Sequence, residues 1–411
     1  MSFQALASLL MPTEPGQRAL ALEADEGWQF DRAAAAGADL IVWGRPPWPS
    51  GTSLRTLARA AIARERALTR LRTRPPAPLR VVALHRWPPP DLRVNHARNT
   101  LRAALLSGAL VELAPARRPA RIIDAASRMA AAGETVHTFT PGSGGSALTR
   151  LRLADGLEGI LRVAPTGGQG DPAHAAAALK HLAGEATGLI PRLLARGITA
   201  GASWSLESAL PGRRPARLSP AIAVAVACFC AALPRVAAPP RAHHDDLRRI
   251  AAVYPRHEPL LRRIAGHLDA RLQSLPSVVR HGDLWTGNLL TVRSRLTGVV
   301  DWDGWHPCAA PGVDLLQLLS MEEAIRSHRH VGELWLQRPW DSRAFTRSSD
   351  EYWRQLELRP SRPTLEAVGI AWWAGQVAHS LARDPTLRSD RRWTEAHLDR
   401  VLRAMEGVIL P

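Results

Sequence analysis

Lysine is almost missing from this chain: of its 53 basic residues only Lys180 is a lysine, and the rest are arginine. Together with abundant alanine and proline, that bias is what a GC-rich genome produces, and it weakens a nucleic-acid reading of the +16 net charge. The best case for an anionic partner is the run from Arg64 to Arg74. There, however, Leu54, Leu57, Ala61, Leu68 and Leu71 recur at helical spacing, which turns the arginines onto a solvated face. Cysteine is scarce as well. Cys228, Cys230 and Cys308 have no C-x-x-C spacing and are too few for a disulfide framework, so buried free thiols are expected. No run of about eighteen apolar residues occurs, so no membrane span is expected. The start lacks the basic segment of a signal peptide and soon reaches Pro12 and Glu14, which points to the cytoplasm. No G-x-G-x-x-G follows the first strand-like segment, leaving dinucleotide binding unsupported. No recurring unit suggests a repeat protein.

What is present is a chain of 411 residues, 46% apolar, long enough for two or three domains. Residues 1–134 alternate strand-like runs (38–43, 79–84, 109–113) with helical patterns, which predicts a parallel α/β layer of unknown role. Its last half is similar to the later strands of a class I methyltransferase fold, read here as degenerate or purely structural. Residues 135–209 read as a small β-rich lobe: a strand at 135–139, a glycine-rich turn at Gly142-Ser143-Gly144-Gly145-Ser146, a hairpin through 147–153 and 160–164, and a helix at 172–183. Backbone N–H groups of such a turn can cradle phosphates, although a plain hairpin connection fits the same residues. From residue 219 onward the pattern is almost wholly helical, with helices at 222–233, 245–251, 260–275, 315–327 and 365–382.

The most specific segment is His281-Gly282-Asp283-Leu284-Trp285-Thr286-Gly287-Asn288, followed by Val299-Val300-Asp301-Trp302-Asp303. It fits the kinase catalytic-loop pattern H-x-D-L-x-x-x-N, in which the Asp takes the proton of the attacking hydroxyl and the Asn holds magnesium. Residues 296–300 read as a buried strand, so Asp301 stands at a strand end, where a second metal-binding carboxylate belongs. Magnesium on a nucleoside triphosphate needs hard oxygen ligands, and the base must share a rigid loop with one of them, a few residues away. Asp283 as base, with Asn288 and Asp301 as ligands, meets both demands.

These residues resemble the aminoglycoside phosphotransferase family of small-molecule kinases. Gly282 stands where protein kinases carry Arg, Asp301-Trp302-Asp303 replaces Asp-Phe-Gly, and Pro311-Gly312-Val313-Asp314 leads into a Leu-rich helix, as in that family. The loop at 284–287 is similar to fructosamine-kinase-like and sugar-kinase-like branches. The resemblance implies an α+β protein-kinase-like bilobal fold, with the small lobe at 135–209 and a helical large lobe at 210–411. It implies ATP and Mg²⁺ as cofactors and a small-molecule hydroxyl (sugar, aminoglycoside-like or amino-alcohol) as acceptor. It also gives Asp303 a water-mediated place at the metal, and His281 and Asp314 the orienting of the loop. Trp204 to Gly212, including Glu207, resembles the hinge whose backbone contacts adenine.

One departure stands out. A kinase small lobe presents a Lys to the phosphates and pairs it with a Glu on the next helix. Here Arg162 falls at the Lys position and Ala175 where the Glu is expected, an exchange that is not conservative. A nucleotide-binding pseudokinase, or a regulatory module in a biosynthetic fusion, is therefore the alternative reading. Two other clusters are discounted. His243-His244-Asp245-Asp246 is read as a helix N-cap rather than a metal site, because adjacent ligands rarely converge. His306 with Cys308 carries no triad logic, and His328 and His330 are expected at the surface.

Overall fold

The computed structural model describes residues 146–409, apart from short gaps at 154, 169, 185–187 and 200–201. It also describes strand segments at 19–22, 40–43, 79–87, 108–115, 136–138 and 140–141, and helical positions between 55 and 69. The chain divides into two compact units, residues 1–173 with 194–209, and residues 174–193 with 210–411. Among the described residues no helix is long and apolar enough to cross a membrane.

The first unit contains two sheets. Strands β1 (Ala19–Leu22), β2 (Leu40–Trp43), β3 (Leu79–Trp87), β4 (Gly108–Pro115) and β5 (Val136–Thr138) form one, in the order β1-β2-β4-β3-β5. The pairs β1–β2 and β3–β5 are parallel, but β4 runs antiparallel to both β2 and β3. The expected all-parallel layer is thus corrected to a mixed sheet: alternation of strand and helix patterns does not fix strand direction, which depends on the path of each connection. The strand expected to open the small lobe, at 135–139, pairs instead with β3. The glycine-rich turn at Gly142–Gly145 and the helices expected near 99–107 and 122–132 lie outside the described residues.

The second sheet joins β6 (Thr140–Pro141), β7 (Ala147–Arg152), β8 (Glu158–Pro165), β9 (Leu193–Thr199) and β10 (Ala202–Ser208) in the order β6-β7-β8-β10-β9. The register of β8 on β10 places Arg162 opposite Ser205 and Ile160 opposite Glu207. Both strands are buried along most of their length, with the polar side chains of Arg162, Ser205 and Glu207 among the buried residues.

The second unit is the helical lobe. It holds α1 (Ala173–His181), α2 (Pro220–Ala231), α3 (Ala242–Val253), α4 (Glu258–Leu272), α5 (Val313–Ser327), α6 (Val331–Leu336), α7 (Arg343–Gln355), α8 (Arg362–Arg383), α9 (Arg391–Thr394) and α10 (Arg400–Ile409). Ser219, Ser342 and Ser361 cap α2, α7 and α8 through their hydroxyls, and Pro220 stands at the first position of α2, where no N–H is needed. Helix α8 is apolar on nearly every face between Ala367 and Leu381 because it runs through the core. Its indoles keep their N–H bonded: Trp372 donates to Oε1 of Gln317 and Trp373 to the carbonyl of His397. Strands β11 (Arg235–Val236), β12 (Ser277–Arg280) and β15 (His306–Ala309) form a small sheet, and β13 (Leu289–Val292) with β14 (Arg295–Val299) a hairpin.

Candidate active site

Buried strand β12 delivers the chain into His281-Gly282-Asp283, and the first turn of α5 fixes the loop. One oxygen of Asp314 accepts the N–H of His281 at 2.6 Å and the other that of Gly282 at 3.0 Å. Gly282 is required at its position: its φ is +83°, and a Cβ there would collide with the carbonyl of Gly304. Fully buried His281 donates from Nε2 to the carbonyl of Val300 at 3.0 Å and accepts the N–H of Asp283 on Nδ1 at 3.3 Å. With both nitrogens committed, His281 ties the loop to the segment before Asp301; the geometry gives it a positioning role.

The hairpin sets the candidate metal ligands. Leu289 pairs with Val299, and the N–H of Val300 bonds to the carbonyl of Asn288 at 2.9 Å, so Asn288 and Asp301 emerge at the same end of the hairpin. The Asn288 amide donates to the backbone carbonyl of Asp283 at 2.7 Å and to its Oδ2 at 3.3 Å, which turns the amide oxygen away as a hard donor. Asp301 adopts φ +72°, ψ +64°, a left-handed conformation that costs a non-glycine residue about 1–3 kcal/mol and that clusters at functional sites. Buried Trp302 anchors the turn, its indole donating to the carbonyl of Val299. An amide and a carboxylate oxygen on one rigid hairpin end suit magnesium, which takes few protein ligands. The backbone carbonyl of Asp303, the third expected ligand, accepts from Nδ1 of His174 at 2.7 Å, and the rings of His174 and His181 lie 5.9 and 5.3 Å from Trp305. Sequence reasoning missed this contribution of α1.

Residues 138–357, more than half of the chain, match the model of the phosphotransferase enzyme family. The chain belongs to this family. No curated protein matches it. Among solved structures it is similar to an aminoglycoside-3'-phosphotransferase of type VIII (23% identity, covering 56% of this chain and 89% of that one, TM-score 0.39). It is also similar to the amicoumacin kinase hAmiN in complex with AMP-PNP, Ca²⁺ and Ami (15%, 71% and 94%, TM-score 0.48). A third is the macrolide 2'-phosphotransferase MphH from Brachybacterium faecium (16%, 61% and 91%, TM-score 0.37). The sheet-rich unit and the helical unit agree with the bilobal kinase-like architecture expected from the motifs.

In the loop after β12, the carboxyl of Asp283 is pushed up to about 6. Burial is the main cause; repulsion from Asp301 adds to it, while Arg383, His281 and the Asn288 amide oppose it. Arg383, the last residue of α8, brings Nη1 to 3.6 Å from Oδ2 of Asp283. One turn earlier, burial chiefly, then the positive charges of Arg383 and Arg280, lower His379 to about 4, so its imidazole is neutral. A carboxyl with a pKa near 6 beside two hard oxygen donors can accept the proton of an adjacent hydroxyl as that hydroxyl attacks. Arg383 and His379, some hundred residues from the loop, carry no sequence signal of their own.

In the sheet unit Arg162 does find a carboxylate. Its Nε lies 3.3 Å from Oε1 of Glu207, both side chains being about nine-tenths buried. The acidic partner sought at Ala175, which is buried in α1, stands instead on neighbouring strand β10. Glu207, expected as part of a backbone hinge, contributes its side chain to this pair.

The His243–Asp246 segment differs from expectation. Helix α3 begins at Ala242 with no side-chain cap, and Asp245 sits inside the first turn, where it favours the helix dipole. Asp246 is buried against Arg280. His243 and His244, despite their adjacency, both reach Oδ1 of Asp269, at 3.1 and 2.8 Å. His306 bonds to Asp245 and accepts the N–H of Cys308. His328 and His330 are exposed, and the three cysteines are free, with only Cys230 fully buried.

Proposed function

We propose that this phosphotransferase moves the γ-phosphoryl group of ATP to a hydroxyl of a small molecule. The observation that carries the reading is the convergence of Asp283, Asn288 and Asp301, with the Asn288 amide donating to Asp283 and the backbone of Val300 donating to Asn288. Bound ATP with Mg²⁺ would supply the transferable group and neutralise its charge. Asn288 and Asp301 would hold the metal. Asp283 accepts the proton of the acceptor hydroxyl at its carboxylate; its raised pKa makes it a stronger base than an ordinary Asp once ionised. Asp314 and His281 hold that carboxylate in place, and Asp303 steadies the metal segment. Arg162, oriented by Glu207, is proposed as the phosphate cation in place of lysine, together with the turn at Gly142–Gly145.

The test is phosphoryl transfer with labelled ATP across a panel of hydroxyl compounds. Losing a general base lowers rates by about 10² to 10⁴, so Asp283→Asn is expected to abolish detectable transfer and keep ATP affinity. Wild-type binding of ATP with no transfer to any acceptor would favour the pseudokinase reading.

A further inference from the structure

Two side chains one turn apart on α8, the second of them beside the Asp283 carboxylate, are not explained by the fold. Arg383 reaches Asp283 only at 3.6 Å, beyond hydrogen-bond length, with its side chain half exposed. The contrast is Arg280, whose guanidinium is locked to both oxygens of Asp246 at 2.5 and 3.0 Å. A guanidinium offers five N–H donors in a planar fork suited to a carboxylate or phosphate. Four residues earlier on α8, and so on the same helical face, Nε2 of His379 is shut off from solvent with no hydrogen-bond partner among the described residues. A buried polar atom left in that state is costly, and a bound ligand is one way to supply its partner.

The carboxylates around the loop are already engaged. Asp283 is committed to the proton and Asp301 to the metal. Asp246 holds Arg280, and Asp314 holds the N–H groups of His281 and Gly282. Glu322 accepts from the hydroxyl of Thr286 at 2.5 Å and from the N–H of Leu218 at 3.4 Å. A cationic acceptor would meet Arg383 beside the base, with these neighbouring carboxylates spoken for. An anionic one would meet an open guanidinium fork.

Resting on the kinase reading above, we propose that Arg383 and His379 form an acceptor subsite for a carboxylate or phosphate group, so that the substrate is an anionic hydroxy compound rather than a polycation. The hydroxyl bonds to Asp283, and its anionic substituent pairs with Arg383 while His379 supplies or accepts one hydrogen bond. Because Arg383 already neighbours the base, the anion lies on the order of 5 Å from the reacting oxygen.

The experiment titrates three matched probes, gluconate, glucose and glucosamine, into the full chain saturated with ADP and Mg²⁺, by calorimetry. It uses wild type, Arg383→Gln and Arg383→Glu, and inorganic phosphate serves as a second anionic probe. Wild type is expected to bind gluconate about tenfold tighter than glucose, the scale of one charged hydrogen bond, with glucosamine weakest. Arg383→Gln removes the preference and Arg383→Glu inverts it. Glucosamine binding wild type as well as gluconate does, no binding of either anionic probe, or a preference that survives both substitutions overturns the proposal. The wild-type ranking decides even if a variant fails to fold. Failure of the kinase reading shows separately, as no binding of ADP with Mg²⁺ to wild type.

Discussion

Arg280 and Asp246 form a bidentate ion pair directly before the His281–Asn288 loop, joining the end of β12 to helix α3. Both side chains are buried, and α8 passes so close that a Cβ on Gly375 would sit 2.7 Å from Nη1 of Arg280. Burial opposes the charge on Arg280, but Asp246, aided by Asp314 and Asp245, holds its pKa above the ordinary value. Asp246→Ala would strand that charge and is expected to destabilise the helical unit by about 3–5 kcal/mol. Chemical denaturation of the two proteins measures it; a loss no larger than that of an exposed ion pair contradicts the account.

Gly282 should tolerate no side chain. Gly282→Ala forces a Cβ into the Gly304 carbonyl at positive φ, a strain of about 1–3 kcal/mol. The expected outcome is a lower melting temperature together with loss of transfer, since Asp283 follows directly. A variant with wild-type turnover contradicts the placement of the loop.

The legible part of the site is the part whose chemistry is contiguous. Residues 281–303 carry the proposed base, the proposed metal ligands and their spacing within one loop and one hairpin, and Asp314 follows a Pro-Gly turn, so local pattern was enough to name these candidates. Helices α2, α3, α4, α5 and α8 were legible from apolar periodicity. The rest depended on packing between distant segments. Arg383 reaches Asp283 only because α8 threads the core, and His379 stands one turn earlier on the same helix. Glu207 becomes the partner of Arg162 through sheet pairing, whereas the kinase pattern puts a Glu on the following helix. Asp246 looked like a cap by local rules, yet the charge of Arg280 draws it inside. The direction of β4 depends on a chain path that no strand pattern encodes.

The raised pKa of Asp283 predicts a pH-dependent stability in the metal-free protein. Folded Asp283 titrates near 6 and an ordinary Asp near 3.8, so the folded state binds the proton more tightly between those values. Its ionisation thus destabilises the fold progressively as pH rises from about 4 to 6, by roughly 3 kcal/mol in full. Asp283→Asn should therefore be more stable than wild type at pH 8 in a chelator and equal to it below about pH 4. Melting curves across that range check it; a constant difference at all pH values contradicts the assignment.

Arg162 and Glu207 test the sheet unit. If the Arg162 guanidinium neutralises phosphate, Arg162→Ala weakens ATP binding by about 1.5–3 kcal/mol, and Arg162→Lys restores only part. Glu207→Gln, which releases the guanidinium from its carboxylate, should weaken ATP binding less than Arg162→Ala does. Unchanged affinity in Arg162→Ala would point to another arginine.

The most direct test of the central claim is calorimetric titration of ATP into wild type and Asp301→Ala, each with and without magnesium. Asp301 stands at the hairpin end beside Asn288 in a strained left-handed conformation, and under the proposed mechanism a metal bridging the phosphates would take its carboxylate. The account predicts that magnesium strengthens ATP binding to wild type and has little effect on Asp301→Ala. Equal magnesium dependence in the two proteins would contradict it.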